Sequence, residues 1–328
     1  MTSVTNRHQP VPPPAPDAPA VQAGRSLWGD AVRRVWRGWG ARICVLIFAF
    51  YCLLAAGGAI YRVAARMDSQ DAIPTFEEMK NYDHANQGPS LRHWTTVLGT
   101  DWAGRPVLIK AVLGAQVSIT VGLIANLIAV PIGMFLGALA GYYGGAIDKV
   151  VVWLFSTLAS IPGIVLLIAI KYAFSDIKYG WLDLGGIHGV YIALGVISWI
   201  GVCRLVRAET LKVRELDYVV AARAAGRGGV AILARHVLPN VMHLGIIRFS
   251  LGFVGAVQAE VILSYLGLGV EVGQPSWGTM ITNASMDIVA GRYWEPATAV
   301  GAIFFLVLSL NILGDRLRDA LDPKLRNV

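Results

Sequence analysis

The sequence predicts an all-α polytopic membrane protein with six transmembrane helices, and three observations carry that prediction. Of the 328 residues, 55% are hydrophobic and only 15% charged, whereas a soluble domain carries about 25% charged residues. Mean hydropathy is +0.56. Six apolar segments, roughly 41–62, 113–140, 149–171, 187–206, 245–268 and 296–314, reach the length of about 20 residues that a helix needs to cross a bilayer.

Taken in order, residues 1–24 hold six prolines and almost no large apolar side chains. Such a segment cannot bury enough surface to offset its ordering entropy, so it reads as a disordered tail. Residues 25–40 set Leu27, Trp28, Val32, Val35, Trp36 and Trp39 among arginines, the pattern of an interfacial helix leading into the first span. Together they make a 25–62 unit. An apolar run starting near residue 43 is too long and too late for a cleaved signal peptide, so it is expected to stay as the first span. A loop of about fifty residues, 63–111, follows with balanced charge. The second span contains Pro131 and the third Pro162. Either proline can kink its helix without excluding a crossing, because neighbouring helices satisfy the freed backbone groups. Residues 139–149 form a short turn of small residues. The core then runs over 112–314 and ends in a tail, 315–328.

Charge placement orients these spans. With the N-terminus inside, cytoplasmic segments carry 19 of the Lys and Arg residues and external ones 9. Positive residues favour the cytoplasmic side, and long external loops count little in that balance. Both termini are therefore expected in the cytoplasm and the 63–111 loop outside. The net charge of +7 is accounted for by this bias, so a nucleic-acid role is an unnecessary addition. Cys44, Cys52 and Cys203 fall within spans and form no Cys-x-x-Cys pair. They read as apolar thiols rather than as a disulfide framework or a metal site.

One segment departs from membrane composition. From Arg204 to Asn240 the chain is basic and rich in small residues, and at its heart lies Asp217-Tyr218-Val219-Val220-Ala221-Ala222-Arg223-Ala224-Ala225-Gly226. Alanines favour helix and leave a nearly smooth surface for a partner's close approach. Gly226 can turn the chain at positive φ, and Pro239 suits the first turn of a following helix. The island reads as helix, turn, helix, then re-entry into the membrane.

This island resembles the cytoplasmic coupling loop of ABC importer permeases, whose signature is Glu-Ala-Ala, three residues, Gly, then Leu-Pro further on. Val220 stands where that signature has Glu, and His236 where it often has Ile. The string Arg235-His236-Val237-Leu238-Pro239-Asn240 is similar to the dipeptide/oligopeptide/nickel branch. So is Leu98-Gly99-Thr100-Asp101-Trp102-Ala103-Gly104-Arg105, with Pro106 replacing the usual Asp and Gln116 the usual Arg downstream. Glu260 to Gly269, with Pro275-Ser276-Trp277-Gly278 after it, and Asn311 to Pro323 match as well. The resemblance implies a type I importer permease, the C-type subunit, in a bacterial inner membrane. It further implies a homologous second permease, two cytoplasmic ATPase subunits and an external substrate-binding protein. Peptides are the implied cargo, with a nickel chelate or another small solute as the alternative. Within a coupling loop at 207–243, it points to Asp217, Tyr218, Ala221, Ala222, Arg223, Gly226, Leu238 and Pro239 as the ATPase-coupling residues.

No Gly-Lys dipeptide occurs anywhere, so the chain has no phosphate-cradling loop of its own. ATP would be bound by partner subunits. No catalytic residue, cofactor or metal ligand is assigned, and no enzyme activity is expected. His84 and His93 beside Asp83 match no firm ligand spacing and read as solvated loop residues. His188 reads as interfacial and His236 as structural. Glu260 is the one acidic residue placed inside a span, where a carboxylate must face a polar pathway, a partner or a hydrogen-bonded pocket. Pathway and packing roles both stay open. Asn126, Gln258 and Asn311 are expected to bond between helices. A secondary transporter is the remote rival, and neither the internal repeats nor the clustered charges it needs are visible.

Overall fold

The computed structural model describes residues 38–67, 74–180, 182–270, 274–282 and 284–321. The 1–24 tail, most of the interfacial helix and the last seven residues lie outside these. Five helices are long and apolar enough to cross a membrane among the described residues, six if one bent pair counts as a span. The elements are α1 (Trp39–Met67), α2 (Val107–Tyr143), α3 (Gly145–Ala159), α4 (Gly163–Ala173), α5 (Ile187–Val213), α6 (Asp217–Ala224), α7 (Gly229–Ile232), α8 (Leu238–Tyr265), α9 (Trp277–Ile281), α10 (Ala284–Val289) and α11 (Trp294–Leu321). A two-residue antiparallel ribbon, Lys178–Tyr179 with Leu182–Asp183, joins α4 to α5. It is the one sheet among the described residues.

The third predicted span, 149–171, falls on two helices rather than one. α3 and α4 meet at 91°, because Pro162 offers no N–H and disfavours helix at Ile161 before it. Pro131 has no such effect: α2 runs through it as one 37-residue helix. The turn expected over 139–149 shrinks to Gly144, which with the first residue of α3, Gly145, takes positive φ. α11 continues to Leu321, so the 315–328 tail begins as helix.

The centre of the bundle is the α2–α5 contact, made by a glycine stripe on α2. A Cβ at Gly133 would lie 2.7 Å from the Trp199 carbonyl oxygen, at Gly137 2.7 Å from that of Cys203, and at Gly141 2.8 Å from that of Arg207. Spacing of four puts all three on one face. Such small residues let backbones meet in lipid, where no hydrophobic force drives helices together. Asp148 near the start of α3 grips Arg207 of α5 through two bonds, at 2.5 and 2.7 Å. At the end of α4 the buried Lys171 ammonium donates to the carbonyls of Leu184, Gly185 and Gly186, closing the bent pair onto the start of α5.

Two expectations need correction. Asn126 does not bond between helices; its Nδ2 donates to the Gly122 carbonyl of its own helix at 2.8 Å, as a buried amide on a glycine-rich face readily does. Gln258 and Asn311 are exposed on the single chain, without an interhelical bond among the described residues. Of the cysteines, Cys44 and Cys203 are buried and Cys52 half-buried, all free thiols.

Candidate functional site

The island folds largely as its residues dictate. α6 spans Asp217–Ala224 with Asp217 in its first turn and Arg223 in its last, both complementing the helix dipole. Gly226 then takes φ +76° and reverses the chain. Space is not what Gly226 supplies, since nothing lies within 4 Å of a Cβ built there; the backbone angle is.

Beyond Gly226 the geometry differs from expectation. Helix resumes at Gly229, ten residues before Pro239, and Arg235-His236-Val237 lie in a π-helical turn, Leu233–Val237. The wider turn lets the Leu238 N–H reach the Leu233 carbonyl. It also relieves the clash that the Pro239 ring would make one turn back in a regular α-helix. Pro239 therefore sits in the first turn of α8, as its chemistry demands, but within a continuous 37-residue helical path, Gly229–Tyr265.

α6 has two unlike faces. Val219 is completely buried and joins a cluster with Met134, Ala138 and Tyr142 of α2, Val206 and Val213 of α5, and Val237. Ala222 and Leu238 pack against the same cluster. Full burial of a valine stabilises by about 1.5–3 kcal/mol, so α6 is fastened to the spans rather than tethered beside them. On the other face Asp217, Tyr218, Val220, Ala221 and Ala224 are exposed, while Arg223, four residues after Val219, turns back over the Tyr142 ring. His236 stacks obliquely near the Tyr218 ring, 6.2 Å between centroids, which agrees with a structural part for it.

The opposite end of the bundle is closed by a buried ion network that sequence reasoning saw only in part. Asp101 Oδ1 accepts the backbone N–H groups of Ala103 and Arg105, each at 2.9 Å, and Oδ2 accepts Arg105 Nε at 2.9 Å. Lys110 Nζ lies 3.3 Å from Asp101 Oδ2 and 2.5 Å from Glu295 Oε1. Arg105 also reaches Glu77 at 3.0 Å. The hydrogen bond from Lys80, with help from the Arg105 charge and against some burial, holds the Glu77 carboxyl below the usual range. Trp294 Nε1 donates to the Thr100 carbonyl. Asp101 and Arg105 are only four positions apart and fall within one quoted string. Lys110 and Glu295, by contrast, are 185 positions apart.

Glu260 lies close to this end, fully buried in α8. Ser118 of α2 donates to it at 3.3 Å, Ser264 at 2.7 Å, and Ser276, the N-cap of α9, is a third partner. Trp277, which follows, is also fully buried and donates to the Ala111 carbonyl at 3.0 Å. The carboxylate thus holds α9 against α2 and α8. No group of three or more metal-binding side chains occurs among the described residues; His84 bonds Gln87 and His93 bonds Thr95.

Bilayer-length helices closed by glycine contacts, with a short helix fastened at one end, define a multi-pass membrane protein. Residues 130–327 match the family of binding-protein-dependent transport system inner membrane components, and the chain belongs to that family. It is 36% identical over 251 residues to the glutathione transport system permease protein GsiD of Pectobacterium atrosepticum, covering 76% of this chain and 79% of that one. It is 31% identical to the oligopeptide transport system permease protein OppC of Haemophilus influenzae, covering 92% and 90%. With the dipeptide transport system permease protein DppC of Bacillus subtilis the identity is 34%, over 74% and 72% of the two chains. The chain is thus a transmembrane permease subunit of an ABC importer, a transport component rather than an enzyme.

Proposed function

We propose that this permease passes peptides, including small thiol peptides of the glutathione kind, through a pathway shared with a homologous second permease. The names of its relatives support that cargo class. An external binding protein delivers the peptide, and two cytoplasmic ATPase subunits bind and hydrolyse ATP. Both termini lie in the cytoplasm, as the charge bias indicates. Asp217, Tyr218, Ala221, Ala222, Arg223, Gly226, Leu238 and Pro239 form the coupling element.

The two-faced α6 carries this reading. A helix that merely filled a linker would not need an exposed face of Ala221, Ala224 and Val220 opposite a valine locked into the spans' own core. A partner closing on that face moves α6, and Val219 passes the displacement to α2 and α5. Transport follows because ATP and loaded binding protein favour different arrangements of one two-state assembly.

Ala221→Trp tests the docking face without straining the backbone, since Ala221 is exposed and helical. The variant should insert normally and either lose the ATPases in a pull-down or keep them with hydrolysis no longer stimulated by loaded binding protein. Wild-type values in both assays would remove α6 from the coupling role. Gly226→Ala, with strain of about 1–3 kcal/mol at its positive φ and no steric bulk, should give a milder form of the same defect. Purifying the assembled transporter with its binding protein and identifying the bound cargo tests the peptide assignment.

A further inference from the structure

At the ends of α2 and α5, beside α6, the structure forms a cavity of about 440 Å³ lined by Tyr142, Tyr143, Arg214, Glu215, Arg223 and Arg227. Three guanidinium groups meet there with one carboxylate. Glu215 is an exposed neighbour already engaged by Arg214 Nε at 2.8 Å. Arg214 Nη1 donates to the Gly141 carbonyl at 3.1 Å, which fixes that guanidinium at the end of α2. Arg223 sits over the Tyr142 ring, 5.7 Å from its centroid. Arg227 has no ion-pair partner among the described residues. The pocket is therefore electropositive, and its walls come from two spans and the island.

We propose that this pocket binds the phosphate group of an anionic phospholipid headgroup. A phosphodiester offers the acceptors that planar guanidinium forks match. The depth points to lipid as the source: α2 ends at Tyr143, three residues past the apolar segment 113–140, and α5 at Val213, seven past 187–206, so at about 1.5 Å per residue the cavity lies roughly 5–10 Å beyond the apolar spans, the depth of a headgroup layer. Tyrosines favour that interface, and Tyr142 and Tyr143 line the cavity there. Basic pockets between spans on the cytoplasmic side are suited to anionic headgroups. A bound phosphate would join Arg214, at the end of α5 and fixed to α2, to Arg223 and Arg227 in and after α6, so the membrane's anionic lipid content would set how firmly α6 is seated. Because Arg223 also belongs to the proposed coupling element, the site is tested through Arg227, which lines the cavity but is not in that element.

The test uses the full-length permease in detergent, with thermal stability read by tryptophan fluorescence during titration with phosphatidylglycerol, phosphatidylcholine or glycerol 3-phosphate. Phosphatidylglycerol should stabilise saturably and the other two should not. Each basic side chain near anionic lipid contributes roughly fivefold in affinity. Arg227→Gln should therefore weaken the phosphatidylglycerol response about fivefold, Arg227→Glu should weaken it further, and Arg316→Gln on the exposed face of α11 should leave it unchanged. Equal responses in all variants, or phosphatidylcholine acting as well as phosphatidylglycerol, would overturn the site. Glycerol 3-phosphate acting as well would replace the lipid with a soluble phosphate. Complete displacement of phosphatidylglycerol on adding the ATPase subunits would make the pocket a protein contact instead. Docking is measured separately by Ala221→Trp, so either reading can fail without the other.

Discussion

Replacing Lys110 by Met should open the loop between α1 and α2 while leaving the spans assembled. Lys110 is the cation shared by Asp101 and Glu295, at 3.3 and 2.5 Å, and the exposures of the three side chains are 9%, 0% and 11%. Methionine keeps the volume but leaves Glu295 without a counter-charge and Asp101 with Arg105 alone. Breaking a buried pair by removing one partner costs about 3–5 kcal/mol, whereas removing both together is often close to neutral. At 1.4 kcal/mol per factor of ten, that raises the opening equilibrium roughly 10²–10⁴-fold. Amide hydrogen exchange reads this directly at Asn81, Asn86, Thr100 and Asp101, whose N–H groups bond across the loop to Ala103, Asp101, Gln87 and Arg105. Their protection should fall by that factor, while amides of α5 hold theirs. Lys110→Met/Glu295→Met should recover most of the loss. Exchange within threefold of wild type in the single variant, or no recovery in the double, would refute the claim that this network holds the loop down.

Other substitutions test the remaining contacts. Gly137→Val places a branched side chain where even a Cβ would lie 2.7 Å from the Cys203 carbonyl oxygen; overpacking costs about 1–3 kcal/mol, and the yield of folded protein after detergent extraction should fall. Gly57→Ala, with nothing within 4 Å, should not lower it. Glu260→Gln keeps volume and most hydrogen bonding to its serines, so assembly should persist, whereas Glu260→Leu leaves those hydroxyls facing an apolar group and should reduce the assembled complex; equal assembly by both would deny the residue its part in holding α9. In a background with Cys44, Cys52 and Cys203 replaced by alanine, cysteines at Leu91 and Met286, 91% and 74% exposed, should react with an impermeant thiol reagent added to cells stripped of any outer barrier. A cysteine at Ala224 should not, and the reverse pattern would invert the topology.

The residues on which the functional proposal rests were readable without coordinates because their signals are local. Lipid requires every backbone group of a span to bond within its own helix, so length and apolarity alone located α1, α2, α5, α8 and α11. The run from Asp217 to Gly226 announced a short helix and its stop through alanine propensity and one glycine. Even the glycine stripe was open to view, as Gly133, Gly137 and Gly141 keep a spacing of four, yet the stripe became meaningful only when Trp199, Cys203 and Arg207 were found opposite. Tertiary structure decided what depends on partners distant in sequence. Pro131 and Pro162 look alike as residues, but one lies within a continuous helix and the bend falls at the other. Likewise, Lys110 with Glu295 and Ser118 with Glu260 carry no local mark. Their meeting is set by how the helices cross, and burial then makes each charge or hydroxyl depend on a partner that no window of sequence contains.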